Sequence, residues 1–113
     1  MRIKKITSEG SKTKKPETVA EALDQLMVTL SLSQKTQIAK MPEDFLIRLH
    51  LSLGRYIRNQ FLYPRNERLL ESCRQVAMDK YLHWDQASAV IISELWKRLQ
   101  ESHKMRVIKI ARK

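Results

Sequence analysis

The chain has 113 residues, enough for one independently folding domain. Two glycines and three prolines favour helices with short connections, and a single cysteine excludes an internal disulfide. The net charge of +10 sits at the ends: residues 1–15 hold +5, residues 97–113 hold +6, and the body between them holds −1.

No apolar run approaches the roughly 18 residues of a membrane span. The opening "MRIKKITSEGSKTKK" has charge but none of the apolar core of a secretory signal. With Cys73 unpaired, a reducing cytoplasm is the expected compartment. The charge pattern divides the chain into a basic segment 1–15, a body 16–103 and a basic segment 104–113. Basic ends attract nucleic acid or acidic proteins, and they also serve as solubilising tails. The candidate phosphate contacts are Lys4, Lys5, Lys14 and Lys15 at one end and Lys104, Arg106, Lys109 and Arg112 at the other.

In chain order, "PETVAEALDQLMVTL" predicts a first helix, with Thr18 and Glu21 in capping-box spacing. Val19, Leu23, Leu26, Met27 and Leu30 form its apolar stripe. "SLSQKTQIAKM" predicts a short surface helix with Ser33 as its cap. "MPEDFLIRLHLSLGRYIRNQF" then predicts the main helix. Pro42 fits its first turn, and Glu43 and Asp44 suit the positive end of the dipole. Phe45, Leu46, Leu49, Leu53, Tyr56, Ile57 and Phe61 share a broad apolar arc, with Ile47 and Leu51 just beyond it. Arg48, Ser52, Arg55, Arg58 and Asn59 form the polar strip. So much apolar surface predicts a central helix packed on most sides. The alternation in "RLHLSL" also allows a strand, but the length of the stripe favours helix.

"LYPRN" predicts a turn, and Asn66 the cap of a fourth helix with Leu69, Leu70, Cys73, Val76 and Ala77 inward. Cys73 reads as a small buried apolar residue. After "YLHWDQAS", Asp85 resembles an N-cap for the last helix, with Val90, Ile91, Leu95 and Leu99 inside and Trp96 beside them. The ends "RIKKI" and "RVIKIAR" mix basic and branched residues, and a short two-stranded ribbon between them is one expectation. The other is a disordered lead and a last helix running on to Ile110. The predicted fold is an all-α, compact bundle of about five helices.

Phosphate loops, paired-glycine fingerprints and zinc spacings are missing, so no cofactor or metal is expected. His50 reads as a hydrogen-bonded core histidine rather than a base, and Gly54 as a point of close backbone approach. "HWD" lacks the nucleophile, base and orienter of a catalytic site, so no catalytic residue is assigned. Arg48 and Arg55, seven apart, can grip carboxylates or phosphates, or pair with Asp24, Glu67 or Glu71. Tyr63 and Trp84, both in predicted loops, are the aromatic residues expected at an interface.

"LHLSLGRYIRNQF" and "HWDQASAVIISELW" together resemble a family of small, uncharacterised bacterial and phage-borne domains. Its members read L-H-F-x-L-G-x-x-I-R-N with a following aromatic, then H-P-D-D-x-S-x-x-I-I. The likeness runs over about residues 16 to 100. His50, Gly54, Arg58, Asn59, His83, Asp85 and Ser88 match that pattern. Trp84 stands where the family has proline, Gln86 where it has an acid, and "LYP" where Gly-Leu-Trp often follows. The resemblance brings no activity. It implies that these polar residues belong together as a structural latch, with Arg58 and Asn59 bonding the turn that carries His83 and Asp85.

The expected function is a non-enzymatic module that binds a protein partner as a regulator, inhibitor or immunity-type protein. The contacts are Arg48, Arg55, Arg58, Tyr63, Trp84 and the basic ends. The alternative is nucleic-acid binding through the ends. No membrane contact is expected, and nothing in the pattern specifies an oligomer.

Overall fold

The computed structural model describes the backbone of residues 15–111 and the side chains of residues 15–102, and every regular element within them is helical. Helix α1 spans Val19–Thr29. The Thr18 hydroxyl accepts from the Glu21 N–H at 3.1 Å, and Glu21 reaches back to the Glu17 N–H at 2.9 Å. The predicted stripe is realised, with Val19, Leu23 and Leu26 buried and Met27 and Leu30 packed against the core. Helix α2, Leu32–Lys40, buries Ile38 and Ala39 and leaves its other face outward. Its cap is Ser31, not Ser33. Ser31 and Gln34 exchange side-chain and backbone bonds at 3.1 and 2.8 Å, which Ser33 has no partner three residues on to match.

The expected main helix over 42–61 is replaced by three shorter pieces. A 3-10 segment covers Glu43–Leu49, α3 covers Leu53–Ile57, and a π-turn follows over Arg58–Leu62. His50 and Ser52 donate to carbonyls three residues back, at 3.1 and 3.2 Å. Tyr63 donates five back to Arg58, at 2.7 Å. Two side-chain bonds occupy carbonyls that a continuous helix from Met41 would pair within itself. The Trp96 indole N–H donates to the Met41 carbonyl at 2.8 Å. The Arg58 guanidinium reaches the His50 carbonyl, which a continuous helix would pair with Gly54. Phe45, Ile47 and Leu51 consequently stand exposed, outside the apolar arc.

Asn66 caps α4, Glu67–Ala77, by accepting from the Leu69 N–H. Its amide also donates to the Pro16 and Phe61 carbonyls at 2.8 Å each, so one side chain starts α4, closes the π-turn and pins the chain before α1. Leu69, Leu70 and Cys73 are buried, but Val76 and Ala77 are exposed where the last turn leaves the core. Met78 ends α4 in the left-handed region at φ 58. The Tyr63–Pro64 peptide is cis.

Helix α5, Trp84–Ala111, is the spine and takes the central place expected for 42–61. It touches α1, α2, the 3-10 segment, α3, the π-turn and α4. Ala87, Ser88, Ile91, Ile92, Leu95 and Leu99 form its buried face. Each large aliphatic side chain buried there contributes about 1.5–3 kcal/mol relative to exposure. Residues 104–111 continue the helix, so they supply no strand for the terminal ribbon. Helical backbone pairs with itself and needs no second strand. The other half of that ribbon lies outside the described residues.

Candidate functional site

Arg58 organises the polar residues of the two motifs. One guanidinium nitrogen donates to the Ser88 hydroxyl at 3.0 Å, and the other to the His50 carbonyl at 3.4 Å. Ser88 is fully buried, and its hydroxyl donates in turn to the Asp85 carbonyl at 3.0 Å. The guanidinium thus ties the 3-10 segment to the first turn of α5. Gly54 makes the room. A Cβ placed there would lie 3.1 Å from Arg58 Nη1. The close approach expected at this glycine is made by an arginine head group, not by another backbone. The signal was present in the sequence, because Gly54 and Arg58 are four apart and therefore neighbours on a helix face.

These contacts differ from the expected latch of His50, Asn59, His83, Asp85 and Ser88. Asn59 is exposed and forms no bond to the 83–85 turn among the described residues. His50 contributes its carbonyl rather than its ring, is half-buried, and is not the hydrogen-bonded core histidine expected. Its side chain lines a cavity of about 230 Å³ with Glu43, Asp44, Ile47 and Ile92. His83 is exposed and acts through its backbone, whose N–H donates to Gln86 Oε1 at 2.9 Å. Ala87 donates to the His83 carbonyl at 3.0 Å, so His83 is the N-cap of α5 and Asp85 lies in its first turn. Trp84 therefore holds the N1 position, where a proline is also at home. Gln86 holds N3, where an acid makes the same back-bond.

Beside these residues is a cleft of about 310 Å³ lined by Arg58, Asn59, Leu62, Tyr63, Pro64, Trp84 and Asp85. The π-turn and the start of α5 supply opposite walls. Tyr63 is 67% exposed, while Trp84 is half-buried. The two aromatics expected at an interface are thus brought together. Arg48 and Arg55 are not part of this cleft. The bend at 50–52 places them on separate elements, and Arg48 stacks over Phe45 at 4.5 Å from the ring centroid. Their expected partners Asp24 and Glu71 pair instead with Arg98 at 2.8 Å and Arg74 at 3.8 Å.

Of the candidate phosphate contacts, Lys15 is already engaged. Its ammonium donates to the Gln60 and Tyr63 carbonyls at 3.1 and 2.7 Å, a cation placed on the carbonyl end of the π-turn. Its charge was legible in the sequence, but these acceptors arise only once the π-turn forms. Lys4, Lys5, Lys14 and Arg112 lie outside the described residues. Lys104, Arg106 and Lys109 lie on the last turns of α5, with side chains outside the described set. Cys73 is buried, its thiol 3.7 Å from the Ala87 carbonyl, and burial pushes its pKa up to about 12. Among the described residues, no three or more side chains of the metal-binding types gather at one point, and no helix is long and apolar enough to cross a membrane.

No curated protein and no solved structure matches the chain. The family described as a domain of unknown function, DUF6794, matches residues 15–99, so the latch and the cleft both fall inside the matched region and the chain belongs to that family.

Proposed function

We propose that the chain is a non-enzymatic interaction module of the cytoplasm that binds a protein partner through the Tyr63–Trp84 cleft, as a regulator, inhibitor or immunity-type protein. One observation carries this reading. Two segments more than 20 residues apart in sequence line one cleft, with an exposed tyrosine just past a π-turn and a half-buried tryptophan at the start of α5. Aromatic residues that pair an apolar body with a polar tip are enriched at protein interfaces, and π-turns recur at functional sites. Arg58 is committed to His50 and Ser88, which suits a supporting role beneath the contact surface.

A second reading, nucleic-acid binding, draws on the concentration of the +10 charge at the two ends. The engagement of Lys15 by backbone carbonyls weighs against it at the N-terminal end. The test is affinity capture from native lysate, with the full-length chain beside Tyr63→Ser and Trp84→Pro. Both changes remove an aromatic from the cleft, and proline is compatible with N1. The expected result is a discrete protein retained by the unchanged chain and lost from both variants. Equal recovery by all three sinks the proposal.

A further inference from the structure

The polar groups of the Tyr63–Trp84 cleft narrow the chemistry of its ligand. Trp84 is half-buried, and its indole N–H forms no hydrogen bond among the described residues. The other tryptophan, Trp96, spends its indole N–H on the Met41 carbonyl at 2.8 Å. An indole N–H only donates, and a buried one usually finds an acceptor. A ligand of the cleft completes Trp84 by offering a free carbonyl. The Asp85 carboxylate lines the same cleft, is exposed, and forms no ion pair among the described residues. It complements a cation. Arg58, the cation of the lining, already donates to the Ser88 hydroxyl and the His50 carbonyl. Leu62, Tyr63 and Pro64 supply apolar surface. No ring contact joins Tyr63 to Trp84 among the described residues, whereas Tyr56 and Phe61 meet edge-on at 5.9 Å between centroids.

Backbone conformation narrows the ligand further. A helix is about 10–12 Å across with its side chains and spends its carbonyls on its own N–H groups. The cleft, at about 310 Å³, lies at the small end of binding clefts and suits a few residues of chain. A strand needs a sheet edge, and every regular element among the described residues is helical. A polyproline II segment has no internal hydrogen bonds, so its carbonyls stay free to accept. Grooves lined by aromatic residues are the usual receptors of such segments.

We propose that the cleft binds a proline-rich segment of a partner protein, extended as polyproline II and carrying a basic residue beside its prolines. The prolyl rings pack on Tyr63 and Trp84, a prolyl carbonyl accepts from the Trp84 indole, and the basic residue meets Asp85. The proposal rests on the reading of the cleft as the partner-binding surface and names the chemistry of that partner.

The test titrates the full-length chain, by anisotropy, against a fluorescein-labelled peptide made of an arginine followed by Pro-Leu-Pro repeats. It is compared with a copy that has alanine for every proline and a copy that has glutamate for the arginine. The proline peptide is expected to bind at least about tenfold more tightly than the alanine copy, because its extended form is already set. It is expected to bind about fivefold more tightly than the glutamate copy, a preference that Asp85→Asn removes. Trp84→Phe keeps an aromatic ring and removes the indole N–H, and is expected to weaken binding about fivefold. Equal affinity for the proline and alanine peptides, binding of neither, or unchanged binding by Trp84→Phe overturns the proposal. So does a preference for the glutamate copy, because Arg58 would then be the charge that the ligand reads. If no peptide binds while capture from lysate still depends on Tyr63 and Trp84, the proline chemistry falls and the cleft stands as the partner surface.

Discussion

An alanine Cβ at position 54 would lie 3.1 Å from an Arg58 nitrogen that is held by a fully buried serine. The guanidinium must give by a few tenths of an ångström, against its bonds to Ser88 and the His50 carbonyl. Gly54→Ala is therefore expected to lower stability by about 1 kcal/mol, despite the better helix propensity of alanine. Arg58→Ala is expected to cost about 2 kcal/mol, the worth of charge-assisted bonds in a half-buried setting. In the Arg58→Ala background, Gly54→Ala is expected to raise stability by about 0.5–1 kcal/mol. Urea unfolding of the four proteins closes the cycle, and a coupling below about 0.5 kcal/mol would show the two residues to be independent. Cys73 gives a pH prediction. Its folded pKa of about 12 lies above its ordinary value of 9.0, so the unfolded chain releases its proton first. This thiol's contribution to stability is present below pH 9 and declines as pH rises toward 12. Cys73→Ala should flatten that decline in alkaline melts. At this scale the sequence was informative about residue type. It marked Gly54 as a tight place and Cys73 as buried. A helical wheel puts Arg58 on the outer strip, so its inward turn was legible only in the four-residue spacing from Gly54 and in the family resemblance.

Capping and interruption decide the elements. Ser31→Ala removes the α2 capping box and is expected to cost about 1 kcal/mol, whereas Ser33→Ala should stay within about 0.5 kcal/mol of the unchanged chain. Thermal or urea unfolding checks the pair, and the reverse order would return the cap to Ser33. The correct cap was legible, since Ser31 and Gln34 have the spacing that Ser33 lacks. The division of residues 43–62 was not legible. Apolar spacing does not record which carbonyl each N–H bonds, so a wheel drawn at about 100° per residue reports one helix across the breaks. At the first break the His50 carbonyl is taken by the Arg58 side chain, a contact that apolar spacing does not record. The start of α5 shifted by a similar mechanism. Asp85 has the chemistry of a cap, but the His83–Gln86 pair fills that position first.

For the whole molecule, an all-helical body could be read from composition and periodicity, but the identity of its central helix could not. Periodicity over 42–61 predicts a central helix, whereas α5 meets the other elements and Phe45, Ile47, Leu51 and Tyr56 stand exposed. The body is nearly neutral and the charge lies at the ends, so weak, salt-sensitive attraction to nucleic acid is expected from electrostatics alone. Anisotropy with a labelled mixed-sequence duplex and a single strand should give dissociation constants no tighter than about 1 µM near physiological salt. Nanomolar binding would give the nucleic-acid reading the lead. The most direct measurement places a photo-crosslinker in the cleft. Full-length chain carrying Tyr63→p-benzoylphenylalanine is irradiated in native lysate beside the same change at exposed Gln75. A discrete protein adduct is expected from position 63 and not from position 75. Nucleic-acid adducts alone, or the same adducts from both positions, would contradict it.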